Sequence, residues 1–424
     1  MTSDNLKYVI RQFVARALPA CKARTLRVPT DTSKVVGLAG VRRSGKTFLF
    51  FGAMQRLVAQ GVERRRIVYL NFEDDRLHPL RAEELDLVLR CWHEVFPETT
   101  GQRKYLFLDE VQNVPGWERW VRRLCDTEDV RVFVTGSAAR LLARDLATAL
   151  RGRSITLEVF PLSFREYLTF RNIAIVPHDA DNESRLRHEL EAYLLCGGFP
   201  EIVLADEALR PLILEEYSSL MLYRDVVERY AVRNEPLMRE LLRYCFRNTG
   251  SLLNVSKLHR DFASQGYTVS RNTLFEYLGH LEDALLIFLL PKREASIRKQ
   301  AHNPKKLHVI DTGLMAAFQA FPGRDLGHKL ETVVFLANRR RQKDLCYYVN
   351  GSEVDLCDAG GKLFVNTCWS MADAETLQRE KAAMAFGAAR WPDASGTLLY
   401  HEYAPGRERA VPGAQAAWKY LLRP

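Results

Sequence analysis

Apolar positions recur at two periods along this chain, and the change of period divides it. Over residues 1–30, Leu6, Val9, Ile10, Phe13, Val14 and Leu18 return at helical spacing, which predicts an amphipathic helix leading into a first strand. From Lys34 onward, short β-rich runs alternate with helical stretches: Val35–Ala39, Arg66–Phe72, Tyr105–Leu108, Arg131–Thr135 and Ser154–Phe160. That rhythm predicts a parallel sheet with helices on both faces. It stops near Pro161. Residues from about 163 to 230 read as wholly helical, interrupted by the turn Cys196–Pro200. Three helical patterns and an apolar strand, Leu285–Leu290, follow between about 236 and 292, and the chain from about 305 is again mixed α and β. The expected segments are 1–33, 34–165, 166–232, 233–300 and 301–424.

Composition narrows the class. At 424 residues the chain is too long for one compact core. Its 47% hydrophobic and 27% charged content excludes bulk disorder. No apolar run approaches the roughly 20 residues that span a bilayer, and the first residues lack the apolar centre of a signal peptide. A cytoplasmic protein without a membrane role is therefore expected. The eight cysteines are scattered with no CxxC pair, which argues against a zinc site or a disulfide framework. Lys and Arg number 61 against 52 Asp and Glu, a net charge of +9. That excess suits nucleic-acid binding and a plain basic surface alike. The N-terminal helix is basic, and its apolar face is expected to pack on the domain that follows it.

Gly40-Val41-Arg42-Arg43-Ser44-Gly45-Lys46-Thr47 matches G-x-x-x-x-G-K-[ST] at every fixed position, after an apolar strand and before a helix. Glycines let the backbone wrap a phosphate, and successive N–H groups converge at the helix N-terminus. Lys46 can then reach the β- and γ-phosphates of ATP, and the Thr47 hydroxyl can ligate Mg2+. A second apolar strand ends in Asp109-Glu110. Asp109 would bind the Mg2+ through water, and Glu110 would orient or deprotonate the attacking water. The next strand ends in Thr135-Gly136-Ser137, where Thr135, or else Ser137, would contact the γ-phosphate, with helix capping as the other use of Ser137. Arg151 and Arg153 precede the last sheet strand. Either could neutralise charge on the γ-phosphate, in its own subunit or a neighbour's, or form a structural ion pair or a nucleic-acid contact.

The strings GVRRSGKT, LNFEDDRL, FLDEVQNVPGWERWVRRL, VTGSAARLL and LRGRSITLEVFPLSFREYL resemble a large prokaryotic group of AAA-type P-loop ATPases. CGGFPEIV, LYRDVVERY, HVIDTGL, LETVVFLANRRR and GSEVDL extend the resemblance over nearly the whole chain. It implies ATP binding and hydrolysis, and a C-terminal domain of unknown function with a restriction-endonuclease-like fold. It also suggests roles near the magnesium for Asn71, Glu73 and Asp74, against a capped, solvated loop as the plain reading, which is preferred for Asp75.

Between 236 and 292 the order helix, helix, turn, helix, strand is that of a winged helix-turn-helix. Asn234 and Pro236 start the first helix and Ser270 caps the third, so Arg271, Asn272 and Thr273 would face a DNA groove. The alternative is a packing module. Lys292, Arg293, Arg298, Lys299, Lys305 and Lys306 form a basic run suited to phosphate contact or to a solvated loop. In the last region, the resemblance to the nuclease-like fold implies a helix Glu and a strand Asp, Glu331 and Asp355, around a divalent metal. It puts Asn366 and Cys368 where an acid or amide and a lysine belong. The lysine is absent, so a degenerate site without nuclease activity is expected; were cleavage observed, Lys362 or Lys343 would be the first candidate for the missing role. The expected fold is thus an α/β AAA-type P-loop core followed by a helical lid, a winged-helix module and an α/β nuclease-like domain. The expected function is an ATP-driven switch in a nucleic-acid-associated machine. A slow, ATP-gated signalling or scaffold protein and an ATP-regulated nuclease are the alternatives. DNA, a second copy of the chain and a further protein stand as the expected partners beside ATP.

Overall fold

A computed structural model describes residues 2–136, 146–176, 179–294, 296–318, 325–402 and 411–423. Contacts divide the chain into two units, Met1–Val159 and Phe160–Pro424.

The first unit is built on five parallel strands: β1 (Val35–Ala39), β2 (Ile67–Asn71), β3 (Lys104–Asp109), β4 (Val130–Gly136) and β5 (Ser154–Glu158). Their spatial order is β2-β3-β4-β1-β5. β4 therefore lies between the P-loop strand and the acidic strand, pairing Leu38 with Thr135 on one side and Leu108 with Val134 on the other. β1 and β3 are buried along their full length, as strands covered on both faces must be. The helix Lys46–Ala59 buries Leu49, Phe50, Ala53, Met54 and Leu57, a stripe at helical spacing. Phe50 meets Phe107 edge-on at 5.1 Å, and Phe107 stacks on Phe133 at 4.3 Å between ring centres. The N-terminal helix, Ser3–Ala15, buries Leu6, Val9 and Ile10, and Phe13 lies 5.5 Å from the Tyr69 ring of β2. Its apolar face packs on this unit.

The second unit begins with the helices Phe164–Phe170, Ala180–Cys196, Pro200–Leu204 and Arg210–Leu220, the last running on into a π-helical turn at Met221–Val227. Three helices follow, Glu235–Arg247, Val255–Ser264 and Arg271–Asp283. Their N-caps are Asn234, Asn254 and Ser270, each accepting from a backbone N–H three residues on. A small antiparallel sheet, β6 (Leu252–Leu253), β7 (Ile287–Leu290) and β8 (Lys305–Val309), completes this part in the order β6-β8-β7. β8 comes after residue 300, so the expected boundary there falls inside a hydrogen-bonded sheet. The chain then forms the helix Leu326–Arg339, strands β9 (Leu345–Asn350), β10 (Ser352–Asp358) and β11 (Leu363–Ser370), the helix Ala374–Arg390, and β12 (Ser395–Glu402) and β13 (Ala414–Ala416). β9, β10 and β11 are antiparallel neighbours, whereas β11, β12 and β13 run parallel. No helix among the described residues is long and apolar enough to cross a membrane.

Asp311 ties two parts of this unit together. Its carboxylate accepts N–H bonds from Gly198 (2.6 Å), Gly313 (2.9 Å) and Leu314 (3.3 Å). Burial pushes its pKa up to about 6, against the pull of those three donors. Asp311→Ala leaves three buried N–H groups without an acceptor. An expected loss of roughly 3 kcal/mol or more follows, read as a lower urea midpoint with an unchanged slope.

Candidate nucleotide site

The loop after β1 is held in a tight turn between that strand and the helix that follows it. A Cβ on Gly40 would run into the Val159 carbonyl, so only glycine allows that approach. Gly45, at φ 93°, occupies the left-handed region at the N-terminus of the helix Lys46–Ala59. Lys46 is buried and folded back on the loop, its Nζ donating to the Gly40 carbonyl (2.9 Å) and the Val41 carbonyl (3.1 Å). Ser44 donates its hydroxyl to the Val41 carbonyl at 2.8 Å. Arg43 has φ 64°, and Arg42 reaches sideways to Glu73 Oε1 at 2.9 Å.

At the end of β3, Asp109 is 2% exposed and collects three hydroxyl donors. Thr47 donates at 2.7 Å and Tyr69 at 2.8 Å to Oδ2, and Thr135 donates to Oδ1. Burial, followed by the charge of Glu110, raises the Asp109 pKa, and the three hydroxyls oppose that shift. The same burial, with Asp109 alongside, raises the Tyr69 phenol. Glu110 is a non-glycine residue at φ 54°, a conformation that surrounding structure must enforce. Its N–H donates to Thr135 Oγ1 at 3.0 Å, Gln112 Nε2 donates to its Oε2 at 2.5 Å, and its Oε1 lies 4.0 Å from Lys46 Nζ. Thr135 thus bridges the two acids through one hydroxyl. Thr47 and Asp109 form an oxygen-only pair that fits Mg2+.

The structure brings Lys46, Thr47, Asp109, Glu110 and Thr135 together. Ser137 lies outside the described residues. Arg153 forms an exposed ion pair with Asp126 of the helix Trp117–Thr127, whereas Arg151 is exposed, with φ 45°. Of the acids after β2, Glu73 contacts the loop through Arg42. Asp74 caps the turn Asp75–Leu77 and pairs with Arg76, which lowers its pKa. Asn71 accepts the Glu73 N–H at 2.9 Å. Two participants had no motif to announce them: Tyr69, and Arg24, which donates to the Ser44 carbonyl at 3.0 Å. The register Asn71↔Asp109 puts Tyr69 two residues from the acid on the neighbouring strand, the one signal that could have found it.

The C-terminal residues need a correction. Glu331 and Asp355 border one small cavity, but β11 turns Val365 and Thr367 toward it. Alternation along the strand sends Asn366 and Cys368 to the other face. There Asn366 Nδ2 lies 3.4 Å from Glu380 of the helix Ala374–Arg390, and burial pushes the Cys368 thiol up to about 12. The basic residue beside Glu331 and Asp355 is neither Lys343 nor Lys362, both exposed, but Lys306 of β8. It is therefore buried and not part of an exposed basic run. Lys306 and His308, alternating with Leu307 and Val309 in β8, were the available signal.

Residues 32–168 match the model of an AAA domain, and residues 187–325 match a domain of unknown function, DUF8612. The chain is similar to "Uncharacterized protein MJ1544" of Methanocaldococcus jannaschii, 33% identical over 85% of this chain and 80% of that protein. An "Uncharacterized protein" of Haemophilus influenzae is 31% identical over 73% of this chain and 76% of its own length. Among solved structures, the Walker-type ATPase PABY2304 of Pyrococcus abyssi is 15% identical over 75% of this chain and 95% of that one, with a TM-score of 0.46.

Proposed function

The chain belongs to the family of these archaeal and bacterial relatives and is an AAA-type P-loop protein, and on that premise we propose that it binds ATP with Mg2+ and hydrolyses it to ADP and phosphate. One observation carries the reading: the hydroxyl of Thr47, next in sequence to Lys46, donates to the Asp109 carboxylate at 2.7 Å. Mg2+ held there would neutralise charge on the phosphate oxygens. Lys46 exchanges the Gly40 and Val41 carbonyls for the β- and γ-phosphates. Gly45 and the loop N–H groups cradle them. Glu110 takes the proton of the attacking water. Thr135 is a positioning residue that holds both acids.

The turnover would drive a conformational switch in a nucleic-acid-associated machine. The element order from residue 235 to residue 309, with Arg271 and Asn272 exposed at the start of a capped helix, supports a winged-helix role toward DNA. The test is phosphate release from ATP by the purified chain, in Mg2+ or EDTA, with and without duplex DNA. Mg2+-dependent release that DNA accelerates is expected. Absence of release in Mg2+ contradicts the ATPase, and release indifferent to DNA favours an ATP-gated scaffold.

Because Arg153 is engaged by Asp126, Arg151 is the stronger candidate for charge neutralisation across a subunit boundary. Mixing Arg151→Ala with Lys46→Ala should then restore turnover that neither variant shows alone. A concentration-independent rate in a proven monomer sinks this role.

A further inference from the structure

Lys306 is 3% exposed, yet it carries a charge into the middle of the second unit. Its Nζ lies 2.7 Å from Glu331 Oε1, 2.8 Å from Glu353 Oε1 and 3.0 Å from Asp355 Oδ1. The ammonium donates hydrogen bonds to Glu353 and Asp355, and Glu331 Oε1 lies at ion-pair distance without hydrogen-bond geometry. Glu331 comes from the helix Leu326–Arg339, Glu353 and Asp355 from β10, and Lys306 from β8. The other Asp355 oxygen is held by the Thr367 N–H and hydroxyl at 2.9 and 3.2 Å. Resemblance to the nuclease-like fold implies a divalent metal between Glu331 and Asp355, and the residues present do not fit one. A metal would need the same oxygens at 2.0 to 2.6 Å, in the space that the ammonium fills.

We infer that the Glu331–Glu353–Asp355 cluster is a cation site occupied by the chain's own Lys306, so that this domain takes no divalent metal and is held together by an internal counter-ion. Burial works against the charged lysine, but Asp355, Glu331 and Glu353 outweigh it and keep its pKa well above that of an ordinary lysine. His308, two residues along the same strand, is driven well below its ordinary pKa by burial and by Lys306, so it adds no second charge. Tethering keeps the ammonium in place at any metal concentration. The inference does not depend on the nucleotide site, which lies in the other unit.

Thermal melting of the nucleotide-free full chain tests it, using Mn2+ as the probe. The wild-type midpoint should be the same in millimolar Mn2+ and in EDTA. Lys306→Met strands three carboxylates, so its midpoint should fall by roughly 10 °C, and Mn2+ should recover at least half of that. If the variant folds poorly, refolding in Mn2+ against EDTA gives the same reading. A wild-type chain stabilised by Mn2+, with the gain lost in Asp355→Asn, overturns the inference. So does a Lys306→Met chain that melts like wild type, or one that Mn2+ fails to restore.

Discussion

Glu110→Gln is expected to bind ATP as the wild-type chain does and to hydrolyse it about a hundred- to ten-thousandfold more slowly. The carboxylate is the one group at the end of β3 placed to take a proton without also being bound to three hydroxyls. Removing a positioned general base costs about two to four orders of magnitude. The amide is nearly isosteric and still hydrogen-bonds, so the bond from Gln112 and the one from the Glu110 N–H to Thr135 give no reason for the loop to move. The left-handed backbone at this position is unaffected, since it belongs to the main chain. Steady-state phosphate release and equilibrium ATP binding separate the two effects. A variant that loses both in parallel would assign Glu110 to binding or folding instead.

Lys46→Ala should lose ATP affinity about tenfold to a hundredfold, with turnover falling at least as far. Lys46 opens the helix and is the P-loop cation within reach of the phosphates, and a hydrogen bond to a charged group contributes about 1.5 to 3 kcal/mol. The fold should survive, because alanine is a better helix former than lysine. The partners given up, the Gly40 and Val41 carbonyls, are buried, so a modest fall in the melting midpoint should accompany the loss of affinity. Titration with a fluorescent ATP analogue, alongside a melting curve, checks both statements. Wild-type affinity in a folded variant would remove Lys46 from the phosphate site.

The nucleotide half of the molecule was legible because its chemistry is local. Gly40, Gly45, Lys46 and Thr47 are fixed by a single turn, and Asp109 and Glu110 stand at the end of one apolar strand. All five strands of the first sheet follow from short apolar runs between helical patterns. Contacts that depend on register between distant segments were not legible. Tyr69 reaches Asp109 only because β2 and β3 pair Asn71 with Asp109. Asn366 and Cys368 were one residue out of phase, and a strand slipped by one presents its other face. The irregular pairing between Val354 and Cys357 in β10 is the kind of shift that linear spacing does not reveal. Lys306 read as part of an exposed basic run because lysines are rarely buried unless paired, and its three partners lie 25 to 49 residues further along the chain.

The most direct test is the identity of the nucleotide that remains on the protein after incubation with ATP and Mg2+ and removal of free ligand. Glu110→Gln should retain ATP at close to one per chain, the wild-type chain should carry ADP or none, and Lys46→Ala should carry neither. Equal ATP on all three, or none on Glu110→Gln, would contradict a hydrolytic site built from Lys46, Thr47, Asp109 and Glu110.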